Sequence, residues 1–195
     1  MLRKLIVPLL LSCSALLAVD SSAPRSEYRL LSTSKTSTME KEMNEAASAG
    51  FLFSSVMGGE TAFGGKETVV VMGKVDGNPA GPAKYRLLAA SKTSTLEKEL
   101  NEAGRDGYSY RGVTVFESAF GGREVAVILE RQANDSHPWA YRVLATNRTS
   151  TMEKELKQAG AESFRLHGMC VGKTAFGGNE VISILSKADQ GSGSK

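Results

Sequence analysis

The sequence predicts an α+β fold: three tandem β-α-β-β repeats, each a three-stranded, mainly antiparallel sheet with one helix on one face, packed together. Three observations predict it. Residues 28–74, 85–131 and 141–187 align without a gap as three copies of 47 residues, and fifteen columns are identical in all three. Inside each copy the apolar spacing changes from the alternation of a strand to the three-and-four spacing of a helix and back. Each unit is also near the size below which a chain buries too little surface to fold alone, so the units are expected to pack on one another.

The first element of each copy, YRLLST, YRLLAA or YRVLAT, puts aromatic and branched residues ahead of polar turn formers and reads as a short strand. A helix follows over KTSTMEKEM, KTSTLEKEL or RTSTMEKEL. Its start reads as a capping box, Ser37 with Glu40, Ser94 with Glu97 and Ser150 with Glu153, and the carboxylates suit the positive end of the helix dipole. Met39, Met43, Ala46 and Ala47 form one apolar face, as do Leu96, Leu100 and Ala103, then Met152, Leu156 and Ala159. Gly50 and Gly107 stop the first two helices, and Ser163 stands in that column of the third copy.

The second strand opens on Phe51, Tyr108 or Phe164. Its alternation slips by one residue before Val56, Val113 or Met169, which implies a β-bulge at Ser54-Ser55, Arg111-Gly112 and His167-Gly168. TVVVM, VAVIL and VISIL read as a third strand buried in the middle of the sheet, with strands one and two flanking it; an order with strand two central is the alternative. Between strands two and three stands AFGG, whose glycine pairs suit a tight hairpin turn. The linkers carrying DGNPAGPA and NDSHPW are polar and turn-rich, and residues 188–195 are expected to be a disordered tail.

The amino terminus has a different composition. Arg3 and Lys4 precede an apolar run from Leu5 to Val19, the pattern of a cleaved secretory signal over residues 1–22, too short and interrupted for a membrane span. Cleavage after Ala18 or Ser21 suits an ordinary signal peptidase. The alternative is a lipoprotein box, Leu10-Leu11-Ser12-Cys13, which would lipidate and anchor the chain through Cys13. Removing Arg3 and Lys4 leaves 22 basic against 21 acidic residues. Nucleic acid is not an expected partner, because Lys41, Lys98 and Lys154 alternate with glutamates instead of clustering.

No catalytic constellation, cofactor site or metal-ligand spacing can be read from the residues. His137 lies in a linker, His167 sits in the bulge, and Cys170 reads as a partly buried structural thiol. The aromatic columns read as core. Arg29, Arg86 and Arg142 are expected to pair across the sheet with Glu67, Glu124 and Glu180. The candidate ligand or partner contact is the triplicated loop: Phe63, Gly64 and Gly65, Phe120, Gly121 and Gly122, and Phe176, Gly177 and Gly178. Those phenylalanines read first as packing residues and second as contacts.

The tyrosine strand, the EKELNEA helix, its terminal glycine and the aromatic strand together resemble the small bacterial βαββ family known as domain of unknown function 4177. The resemblance covers residues 28–187. That family has Gly-Trp at the start of strand two, where this chain has Gly50-Phe51, Gly107-Tyr108 and Ser163-Phe164. The resemblance implies the fold and no activity. The expectation is therefore a secreted or periplasmic, non-enzymatic repeat protein that binds or scaffolds an envelope protein or component. A small-molecule or glycan binder using the AFGG loops is the alternative, and an uncharacterised enzyme comes third.

Overall fold

In a computed structural model, residues 25–60, 66–75, 81, 83–117, 123–134, 137–173 and 178–189 are described. The signal segment, Cys13 and residues 190–195 lie outside them, as do all the AFGG residues except Gly178.

The first unit comprises β1 (Ser26–Thr33), α1 (Thr36–Ser48), β2 (Leu52–Glu60) and β3 (Lys66–Val75). The second comprises β4 (Ala83–Ala90), α2 (Thr93–Arg105), β5 (Ser109–Glu117) and β6 (Arg123–Gln132). The third comprises β7 (Trp139–Thr146), α3 (Thr149–Ala161), β8 (Arg165–Lys173) and β9 (Asn179–Ala188). Each unit is a three-stranded antiparallel sheet with its last strand in the centre: β1-β3-β2, β4-β6-β5 and β7-β9-β8. The expected fold class, strand order and central third strand are all present. The first strands begin two residues before the 47-residue copies. The third sheet runs on to Ala188, after which the Asp189 N–H donates to Pro138 O at 2.8 Å.

The second strands are bulged where the alternation slips, between Phe53 and Ser55, Tyr110 and Gly112, and Leu166 and Gly168. The bulge displaces Ser54, Arg111 and His167 from the pairing and returns Val56, Val113 and Met169 to the apolar face. At the helix ends Gly50 and Gly107 take φ of 87° and 82°. Ser163 takes the same left-handed turn at 69°, so the third helix stops at the same column without a glycine.

The helix starts differ from the expectation. The N-cap residues are Lys35, Lys92 and Arg148, and none makes a side-chain capping bond. Ser37, Ser94 and Ser150 are already the second helical residue, so the Ser-x-x-Glu spacing is present but falls inside the helix and forms no capping box.

The sheets and helices alternate through the molecule. Met39, Met43, Ala46 and Ala47 of α1 pack on one side against Leu31, Val70 and Met72 of the first sheet. On the other side they pack against Tyr85, Leu87, Ala126 and Ile128 of the second. Leu96, Leu100 and Ala103 of α2 lie between Val125, Val127 and Leu129 of the second sheet and Tyr141, Ile182 and Ile184 of the third. The second sheet is thus covered on both faces. On the third sheet, Met152 and Ala159 of α3 are buried, and its Met152 Sδ accepts a hydrogen bond from Ser183 Oγ.

At the bulged edges neighbouring units come together directly. A Cβ on Gly112 would lie 2.8 Å from Val56 and 2.9 Å from Phe53, and one on Gly168 would lie 2.0 Å from the Tyr110 hydroxyl. Only glycine allows the bulges to meet this closely.

Candidate interaction surfaces

The joint between successive units is made by two side chains on one helix face. Asn44 Oδ1 accepts from the Tyr85 N–H and its Nδ2 donates to the Tyr85 carbonyl, both at 2.9 Å. One turn earlier, Glu40 Oε2 accepts from the Leu87 N–H at 2.9 Å. The second joint repeats this: Asn101 holds Tyr141 N–H and C=O at 2.9 and 3.0 Å, and Glu97 accepts from Val143 N–H at 2.7 Å. An edge strand presents a row of unpaired backbone groups. Here the preceding helix satisfies them, so the two glutamates read from sequence as caps are joint residues.

A buried cluster reinforces the first joint. Tyr85 Oη accepts from the Phe53 N–H at 2.8 Å and donates to Glu130 Oε2 at 2.7 Å. Arg111 Nη2 meets Glu130 Oε1 at 2.7 Å, and Gln132 Nε2 donates to the same oxygen at 3.2 Å. Burial pushes the Glu130 carboxyl upward, but the Arg111 and Tyr85 hydrogen bonds outweigh that and hold it below its ordinary range. Burial, reinforced by Glu130, raises the Tyr85 hydroxyl far above its usual value. The same columns in the third unit hold His167 and Ser186, with Nε2 and Oγ 2.8 Å apart, and in the first unit Ser54 and Gly73.

The arginines of the first strands do not face the expected glutamates. Arg29, Arg86 and Arg142 sit opposite Met72, Leu129 and Leu185 and stack on the rings of Phe51, Tyr108 and Phe164, at 4.5, 4.5 and 4.2 Å from the centroids. Lys74, Arg131 and Lys187 approach the same three rings. Arg86 and Arg142 also pair with Asp106 and Glu162 just beyond the helix ends, and Glu67 accepts from Ser32 Oγ instead. The aromatic at the start of strand two is closer along the sheet than the glutamate at the start of strand three, and a cation over its face is favourable.

Cys170 is a half-buried free thiol, and burial pushes its pKa up to about 11, which keeps it protonated and unreactive at neutral pH. His167 packs near the Tyr110 ring, and burial with Arg165 nearby lowers its pKa. Of the proposed loop residues only Gly178 is described, as an exposed bend where an added Cβ would meet none of the described residues within 4 Å.

Among the described residues, the exposed large apolar side chains are concentrated at the two ends of the stack. On β1 and β2 Tyr28, Leu30 and Met57 are 68%, 66% and 66% exposed, whereas Tyr85, Leu87 and Thr114, in the same columns of the second unit, are 2%, 9% and 8% exposed. On β8 Leu166, Met169 and Val171 are 45%, 45% and 62% exposed. Their columns in the first two units hold Phe53, Val56 and Gly58, then Tyr110, Val113 and Val115, which pack against the following unit. Next to β8 and α3 opens a cleft of about 700 Å³ lined by Trp139, Arg165, His167, Ser186, Lys187 and Asp189, among others. No helix among the described residues is long and apolar enough to cross a membrane. Comparison with protein-family models, with curated proteins and with solved structures returned no match.

Proposed function

We propose that this is an exported, non-enzymatic repeat protein that binds or scaffolds a protein component of the bacterial cell envelope. The observation that carries the reading is the placement of its apolar surface. Of the seven large hydrophobic side chains exposed among the described residues, six lie on the two end faces. Contiguous exposed apolar patches on a monomer mark interaction sites, whereas scattered single residues do not. Export is supported by Arg3, Lys4 and the apolar run behind them, with lipid anchorage through Cys13 as the variant form.

The second reading, a small-molecule or glycan binder, is favoured by the cleft beside Trp139, whose ring and cationic rim could hold a small polar ligand.

Fractionation of the native host, mass spectrometry of the mature chain and crosslinked capture of neighbours test the first reading. The expected product starts between Ser14 and Ala23, or at a lipidated Cys13, and crosslinks to an envelope protein through the end faces. An intact Met1 in the cytoplasmic fraction defeats export. Crosslinks confined to the Trp139 cleft defeat the end-face reading.

A further inference from the structure

We infer that a second copy of this chain docks head to tail, the α3–β8 end of one copy seating on the β1–β2 end of the next. The inference supplies the scaffold reading with a partner and rests on that reading for its purpose. Its geometry comes from the joints inside the chain. The same joint is made twice, α1 and β2 onto the second unit and α2 and β5 onto the third, and each end of the molecule is one half of it.

The helix half is retained in α3. Glu153 stands in the column of Glu40 and Glu97, and in the intermolecular joint it accepts from the outward N–H of Leu30, as they accept from Leu87 and Val143. Gly160 stands in the column of Gly104. A Cβ on Gly104 would lie 2.1 Å from Trp139 O, because the following strand crosses there, whereas none of the described residues lies within 4 Å of a Cβ on Gly160. The small residue is present and the strand it admits is not.

Where the two ends depart from the internal pattern, they depart together. Lys157 replaces the joint asparagine, and Glu27 replaces Lys84, which lines the same cleft as Asn44. Docking therefore puts Lys157 beside Glu27, opposite charges where the first internal joint has an amide beside a lysine. Sizes compensate as well. Gly112 and Gly168 face the long rings of Phe53 and Tyr110, while Ser55, which carries a side chain, would face the shorter Leu166. Lys157 must leave Glu153, its present partner at 2.5 Å, and can donate to the Tyr28 carbonyl but cannot accept from the Tyr28 N–H. The intermolecular joint is thus weaker than the internal ones and reversible.

Such a contact uses two different surfaces, so it propagates into a ring or a filament according to the rotation it imposes. The mature chain, purified without denaturant, is expected to associate progressively with concentration in sedimentation velocity. Leu30→Asp and Met169→Asp, each disabling one end, should be monomeric alone with an unchanged circular dichroism spectrum. An equimolar mixture should give a 1:1 dimer that grows no further. A wild-type chain that stays monomeric up to about 100 µM overturns the inference. So does either variant that still dimerises alone, because that reports a face-to-face contact, and so does a mixture that does not pair. If an aspartate variant unfolds, Glu27→Lys and Lys157→Glu replace it: each alone should weaken association and the two in one chain should restore it, and failure to restore is equally fatal. Self-association with no captured envelope protein leaves this inference standing while removing heterologous binding.

Discussion

Asn44 occupies the place of a neighbouring strand for Tyr85: one amide accepts from the N–H and donates to the carbonyl, as an adjacent backbone would. A backbone pair that loses its partners in a part-buried site, where water can reach it, costs about 1–3 kcal/mol. Asn44→Ala and Asn101→Ala are therefore each expected to lower stability by about 1–3 kcal/mol in thermal or urea unfolding, whereas Lys157→Ala in the monomer should change it by less than about 0.5 kcal/mol. Equal effects at all three columns would remove the asparagine's special role. Glu40 shows why the joint was only half legible. Its spacing from Ser37 is that of a capping box, and the sequence offers no sign that the helix begins at Thr36 or that Leu87, 47 positions later, supplies the N–H. A usable signal was present in the columns themselves: glutamate persists in all three copies, while asparagine persists only in the two that have a successor.

At the scale of elements, the slips before Val56, Val113 and Met169 announced the bulges, and TVVVM, VAVIL and VISIL announced the central strands, because both are properties of one strand's two faces. What each helix packs on is not such a property. An apolar stripe of Met39, Met43, Ala46 and Ala47 fits one sheet, and the structure places a second sheet against the same helix. The arginine column departs from the sequence expectation for a related reason, since pairing partners follow register, and the register puts Arg86 opposite Leu129. Close approach between elements gives a paired test. Gly104→Ala should cost roughly 1–3 kcal/mol, because its Cβ would strike the Trp139 carbonyl, a backbone atom that cannot swing aside. Gly160→Ala, in the same column of α3 with none of the described residues near its Cβ, should be neutral or stabilising by up to about 1 kcal/mol. Matching losses at both positions, read from melting curves, would show that helix geometry and not strand approach governs the column.

Over the whole molecule, each unit leans on the next: among the described residues the second and third sheets are covered on both faces, by α1 and α2 and by α2 and α3, and the first sheet on one. Residues 85–131 expressed alone should be unfolded or associated, because β4 and β6 would expose Tyr85, Leu87, Ala126 and Ile128, and β5 its bulge. A monomeric fragment melting cooperatively at the temperature of the full chain would contradict that. The joint described above also bears on how such a chain can change length. Its two faces are matched in kind, one asparagine and one glutamate reading main-chain groups that every residue possesses. An in-frame duplication of the middle unit would therefore present a compatible successor at both new boundaries. The joint itself therefore sets no upper count on the units one chain could carry.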